Sequence, residues 1–388
     1  PQATDPHTME RFSCRCFAFS VVFALVIASH GETSAFLTKK FPRVRINDFG
    51  GRLEIGCSIC RTVGARRAQR GDDDVSSSKG RNNSAIPNIR SKEEDDDLDR
   101  IQRVYAISDL HTDNMPNFSW LSDRCTLHKT DHTPGSSDAL IVAGDISHEL
   151  STLELTLSVL VSELDCAVFF VPGNHEAWIG GREMDEIGLT TSLEKLSAVQ
   201  ELCDKLGVYT SYKQLGKKNM SPVWVVPINS WYDGSLTLPG CEDLTSDFKH
   251  WPWVDFRRCE WPFLPEKNGN NGKIPVGLTE HLLEGNSIRE VQSDFRGSVK
   301  EAQASGQYNG ISRLPGLISF SHFLPNQQTL PDWKDLESDV FLRDQWLDHP
   351  VPEVSAKFSK VAGSNLIDRQ IRSIAPDSLK SHEDCNSF

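Results

Sequence analysis

Three short apolar runs, Val104-Tyr105-Ala106-Ile107, Ala139-Leu140-Ile141-Val142 and Ala167-Val168-Phe169-Phe170-Val171, stand out along the chain, each followed at once by polar or turn-forming residues. Apolarity that is continuous rather than alternating predicts strands covered on both faces. Between the second and third runs, the leucines and valines of residues 151–164 recur at helical spacing, so the pattern predicts a strand-helix-strand unit. A further helix is predicted over residues 364–374. From residue 232 to about 313 the periodicity loosens into a long insertion, aromatic and Pro-rich at 248–263, with Gly-Asn repeats at 268–272 that predict a loop.

The residues just past these runs carry the chemistry. Asp109-Leu110-His111, Gly144-Asp145 and Gly173-Asn174-His175-Glu176 follow the three predicted strands in order, and Ser321-His322 comes later. Ligands of open α/β sheets sit at the carboxyl ends of strands, as these residues would. Carboxylates, imidazoles and an amide suit two divalent ions roughly 3.5–4 Å apart, which together polarise a phosphoryl group and make hydroxide from bound water. In this reading Asp145 offers one oxygen to each ion. Asp109 and His111 face the first ion, Asn174 and His322 the second, and His175 is left to protonate the leaving alkoxide. Mixed nitrogen and oxygen ligands favour manganese, iron or zinc over oxygen-bound magnesium. The expected activity is metal-dependent hydrolysis of phosphomonoesters or phosphodiesters, with a metal-bound hydroxide attacking phosphorus.

Through D-x-H at Asp109 and His111, G-D at Gly144 and Asp145, G-N-H-E at Gly173 to Glu176 and S-H at Ser321 and His322, residues 103–374 resemble the calcineurin-like metallophosphoesterase family. The resemblance implies an α/β fold, a four-layer α/β/β/α sandwich, around a dinuclear centre. It looks closest to the plant and algal branch, through I-S-D-L-H-T-D at residues 107–113 and the aromatic start of the insertion at Asn229-Ser230-Trp231-Tyr232. The family normally closes its site with a G-H-x-H motif after a helix like the one at 364–374. Here the chain continues instead into a polar tail, Ser378 to Phe388, whose His382 lacks the glycine and second histidine. The expected sandwich therefore has incomplete C-terminal strands, and the alternative expectation is a non-catalytic phosphate- or metal-binding or regulatory protein. Gly144-Asp145 is followed by Ile146-Ser147-His148 rather than towards Asp-Arg-Gly, which lowers a protein-phosphatase reading.

The amino end divides differently. Residues 1–35 read as upstream sequence plus a signal peptide starting at Met9, with Arg11 and Arg15 before an apolar stretch at 17–28 and Thr33-Ser34-Ala35 at the cleavage site. Residues 36–99 read as a basic, transit-peptide-like segment and an acidic linker, and the pair resembles the bipartite leader of complex plastids. The expected destination is the plastid by way of the secretory pathway, with secretion or the endomembrane lumen as the alternative. The apolar stretch is short of the roughly 20 residues that an anchor needs. Residues 100–377 form the predicted phosphoesterase domain and 378–388 the tail.

Composition narrows the partners. The 388 residues carry a net charge of −13, and setting aside the basic leader makes the rest more acidic still. That disfavours specific nucleic-acid binding and leaves a small phosphorylated substrate as the expected partner. Ten scattered cysteines give no disulfide framework. Asp113, His128, His132 and His148 read as loop groups, and Trp251, Trp253 and Trp261 as packing of the insertion.

Overall fold

All six residues of the strand at Asp138–Ala143 are buried, because successive side chains enter two different cores. The computed structural model describes residues 23–26, 55–57, 95–127, 129–130, 133–216, 222–238, 253–262, 274–304, 315–330 and 352–375. The elements run β1 (Phe23–Val26), β2 (Ile55–Cys57), β3 (Arg103–Ile107), α1 (Met115–Thr126), β4 (Asp138–Ala143), α2 (Leu150–Leu164), β5 (Ala167–Val171), α3 (Gly181–Ile187), α4 (Ser192–Leu206), β6 (Lys213–Leu215), β7 (Val223–Pro227), a helical turn α5 (Asp255–Arg258), α6 (Leu278–Glu284), α7 (Ile288–Ala304), β8 (Gly316–Phe320), α8 (Pro352–Ala362) and α9 (Asn365–Ile374).

Two four-stranded sheets result, ordered β2-β3-β4-β5 and β1-β8-β7-β6. The first is parallel throughout. In the second, β7 and β8 run parallel while β6 and β1 flank them antiparallel. Strand alternation sorts the side chains into three cores. Ala106, Ile141 and Phe169 of the first sheet meet Val223, Val225, Ile318 and Phe320 of the second, filling the space between sheets. Leu140, Val142 and Phe170 point the other way, onto Leu121 of α1, Leu153 and Leu157 of α2 and Cys203 of α4. Trp224, Val226 and Leu317 pack outward with Leu278 of α6, Phe295 of α7 and Ile371 of α9. The layers are therefore helix, sheet, sheet, helix, as expected.

Local signals set the element ends. Thr191 and Glu194 form a reciprocal capping box that starts α4, and Gly207 ends it with φ +71°. Ser364 caps α9 by accepting from Leu366 N. Trp231, Tyr232, Phe256 and Trp261 of the insertion are buried in the outer core, so their aromatic area is spent on packing. Trp251, His128, His132 and the tail 378–388 lie outside the described residues. β1 and β2 come from the stretch that the sequence reads as a leader. Among the described residues no helix is long and apolar enough to cross a membrane.

Candidate metal centre

Beyond β3 and β4 the chain turns sharply, and backbone hydrogen bonds hold the two exits together. Asp109 N donates to Gly144 O at 3.1 Å, His111 N to Asp145 O at 3.0 Å and Thr112 N to Ile146 O at 2.7 Å. The turns need left-handed backbone: φ is +54° at Asp109, +43° at His111, +81° at Gly144 and +54° at Asp145. For residues with a Cβ this conformation costs roughly 1–3 kcal/mol and is found where function over-determines it. The two glycines have steric reasons. A Cβ on Gly144 would come within 2.7 Å of Gly173 N and His322 Nδ1, and one on Gly173 would overlap Asp145 Oδ1.

Glu176 locks the loops from beneath. Its fully buried carboxylate accepts from Asp145 N and Gly173 N through Oε2 and from Ile146 N and Ser147 N through Oε1, all at 2.7–3.1 Å. Burial and the nearby Asp145 push its carboxyl up in spite of these donors.

The expected ligands converge. His111 Nε2 lies 3.9 Å from Asp109 Oδ1, His175 Nε2 3.7 Å from Asp145 Oδ2, and His322 Nε2 3.6 Å from Asp145 Oδ1 and 3.3 Å from Asn174 Oδ1. Ligand atoms of His111, Asp145 and His175 sit within 4.8 Å of one another. Asp145 forms the floor, its side chain 7% exposed, while His111 at 28% and His175 at 18% form the rim.

A test of fit comes from the lone pairs. His322 Nδ1 is 2.9 Å from the Ala143 carbonyl, to which it donates, so the neutral ring turns a lone pair at Nε2 toward two acceptor oxygens. Three acceptors facing one another need a cation between them. In the metal-free protein a proton serves: burial alone would lower His322, but the Asp145 and Asp109 carboxylates and the Ala143 carbonyl outweigh it and raise it to about 8. Asp109 is pushed up to about 6 by burial and by Asp145. Against its own burial, Asp145 is held down at about 2 by His175, His322 and His111. Burial lowers His175 to about 4 although Asp145 opposes the shift. The donor set fits two divalent ions, with Asp109, His111 and Asp145 to hold one and Asp145, Asn174 and His322 the other.

Three further groups surround the centre. Asp113 and His148, read from sequence as loop groups, are paired, His148 Nδ1 being 2.9 Å from Asp113 Oδ2. With His175 they form a second group of ligand atoms within 4.8 Å. His148 counters burial to keep the Asp113 carboxyl below its ordinary range. Lys195, buried in α4, donates from Nζ to the carbonyls of His148 and Trp178, tying the loop after β4 to the loop after β5. Asp255 of α5, buried and raised to about 6 by burial, accepts from Asn174 Nδ2 at 2.9 Å and Trp178 Nε1 at 2.7 Å. No local motif marks these roles, because each joins residues 17 to 81 positions apart; a histidine three residues after the aspartate of G-D was the nearest signal, at His148.

One curated relative, [acyl-carrier-protein] phosphodiesterase PptH of Mycobacterium tuberculosis, is 28% identical over 145 residues, covering 35% of this chain. The chain spans 40% of that relative's length. The crystal structure of phosphopantetheinyl hydrolase (PptH) from the same organism superposes with a TM-score of 0.39 at 21% identity, covering 70% of this chain and 78% of that one. Residues 102–285 match the sequence profile of the calcineurin-like phosphoesterase family. That matched stretch carries every candidate ligand position above except His322.

Proposed function

We propose that this protein is a metal-dependent phosphoester hydrolase acting on a phosphodiester. The observation that carries the reading is the approach of His322 Nε2 to Asn174 Oδ1 at 3.3 Å and to Asp145 Oδ1 at 3.6 Å, an arrangement of acceptors that a cation relieves. The diester preference rests on the likeness to PptH, an [acyl-carrier-protein] phosphodiesterase. Two divalent ions, with manganese, iron or zinc suiting the donors, would supply charge for the phosphoryl oxygens and a nucleophile at neutral pH.

The chain's own residues divide the remaining work. Asp145, held ionised by three histidines, would offer an oxygen to each ion. Glu176 fixes the backbone of Asp145 and Gly173, so the carboxylate and the Asn174 amide keep their spacing. His175, on the rim and next to Asp145 Oδ2, is placed to give a proton to the leaving alcohol oxygen. Burial makes its imidazolium a strong acid, and the negative charge of an incoming phosphate favours the protonated form. Trp178 stacks on it, with ring centroids 3.7 Å apart, and limits how far the imidazole can turn.

The test is hydrolysis of bis(p-nitrophenyl) phosphate and p-nitrophenyl phosphate by the full chain supplied with manganese. Turnover is expected to favour the diester, to vanish with chelator and to fall at least roughly 100-fold in Asp145→Asn, the upper end of what disturbing a metal site costs. Turnover that survives both chelator and Asp145→Asn overturns the reading.

A further inference from the structure

We infer that Asp255, on the insertion between β7 and β8, is a positioning residue for the metal centre: its carboxylate decides which way the Asn174 amide faces and anchors Trp178 beside His175. The inference rests on the reading of Asn174 and His322 as ligands of one ion.

An asparagine side chain presents an oxygen and an NH2 of nearly equal size, and only the oxygen can hold a cation. Asn174 makes no capping hydrogen bond with the helical turn that follows it. The choice falls to Asp255. Its Oδ1 accepts from Asn174 Nδ2 at 2.9 Å, which turns Asn174 Oδ1 toward His322 Nε2 at 3.3 Å. The opposite flip would set two acceptor oxygens together at Asp255 and an NH2 where the cation belongs. The same Asp255 oxygen accepts from Trp178 Nε1 at 2.7 Å, and the indole lies at 3.7 Å and 30° against the His175 ring. Arg258, three residues along the same helical turn, sits 5.2 Å from the Trp178 ring centroid. Asp255 is only 1% exposed, and a carboxylate removed from water needs compensating donors; two of those it has belong to the metal centre, 81 and 77 residues earlier in the chain. The insertion thus contributes to the site through a buried carboxylate that holds Asn174 and Trp178.

The experiment uses the full chain and three variants: Asp255→Ala, Asn174→Asp and the exchange pair Asn174→Asp with Asp255→Asn. Manganese binding is followed by calorimetry, and exchange of the Trp178 indole proton by nuclear magnetic resonance in metal-free protein. Asp255→Ala is expected to weaken one of two manganese sites at least about tenfold, to leave the other within about threefold and to speed indole exchange at least about tenfold, on the scale that loss of a ligand-orienting partner sets. Asn174→Asp, which sets two carboxylates against each other, is expected to lose the same site. In the exchange pair the hydrogen bond between positions 174 and 255 re-forms with donor and acceptor reversed, and the carboxylate introduced at position 174 keeps an oxygen for the ion, so affinity is expected to return to within about threefold, while indole exchange stays fast because the new NH2 cannot accept from Trp178 Nε1. This rescue distinguishes positioning from general destabilisation and stands even where the Ala variant does not fold. Equal loss at both sites, absence of rescue, or unchanged binding in folded Asp255→Ala overturns the inference while the hydrolase reading survives. A wild-type chain that takes up no manganese overturns the metal reading and this inference with it.

Discussion

A carboxylate that accepts four backbone N–H groups has no isosteric substitute. In Glu176→Gln one oxygen becomes an NH2 facing two donors, from either Asp145 and Gly173 or Ile146 and Ser147. At about 1–3 kcal/mol for each of the two stranded donors, we expect chemical denaturation to show a loss of about 2–6 kcal/mol. Manganese affinity should fall about 10–100-fold as well, the usual penalty for disturbing what orients ligands. His322 gives a pH signature. Its folded value of about 8 lies above the ordinary 6.5, so in metal-free protein its contribution to stability is complete below 6.5 and lost as pH rises through 8. The thermal midpoint in chelator should therefore drop between about pH 6.5 and 8.5, and the drop should be absent in His322→Asn. His175, lowered to about 4, acts with the opposite sign and below that window, its contribution being lost as pH falls from 6.5 through 4. Over the same rise from about 6.5 to 8.5 manganese binding should tighten, because the ion displaces the His322 proton. The candidate ligand positions could be read from sequence, since each lies within a few residues of a strand end. Their supports were not: Lys195, Asp255 and the Asp113–His148 pair act across loops that meet only in the folded state.

At the scale of elements, period and length carried the reading. The strand at Ala167–Val171 falls where its apolar run predicts, the helix expected over 151–164 spans Leu150–Leu164, and the one expected over 364–374 is α9, with Ser364 as its cap. The insertion resisted such reading because its aromatics pack from several directions rather than along one face: Trp231 meets Trp261 edge-on at 4.9 Å and Phe323 at 4.9 Å. α4 is the element to probe, since it supports two ligand loops at once. Lys195→Met keeps the length but leaves the His148 and Trp178 carbonyls without their donor. We expect about 2–6 kcal/mol less stability on the same scale of stranded polar groups. Because both loops loosen, turnover should fall in parallel, measured well below the midpoint. Leu157→Ala in α2, by contrast, opens a cavity in the outer core at about 2–5 kcal/mol and should leave turnover per folded molecule unchanged.

For the whole molecule, the two sheets share one interior and the centre lies at the end of that interior, where β3, β4 and β5 give out. β1 contributes a four-residue edge strand paired with β8, the strand that leads into His322. A chain beginning at Phe36, the start implied by cleavage after Ala35, retains β2 but not β1. We expect it to bind manganese within about threefold of the full chain, with a thermal midpoint only a few degrees lower, as the loss of one short edge element from a large domain implies. A collapse in either would make β1 an integral part of the sandwich. Finally, three of the five described non-glycine residues with positive φ are Asp109, His111 and Asp145. Glycine would sit there with less strain. A library of this protein screened for heat resistance alone should accumulate glycine at those positions, and its hardiest survivors would be folds that had discarded their chemistry.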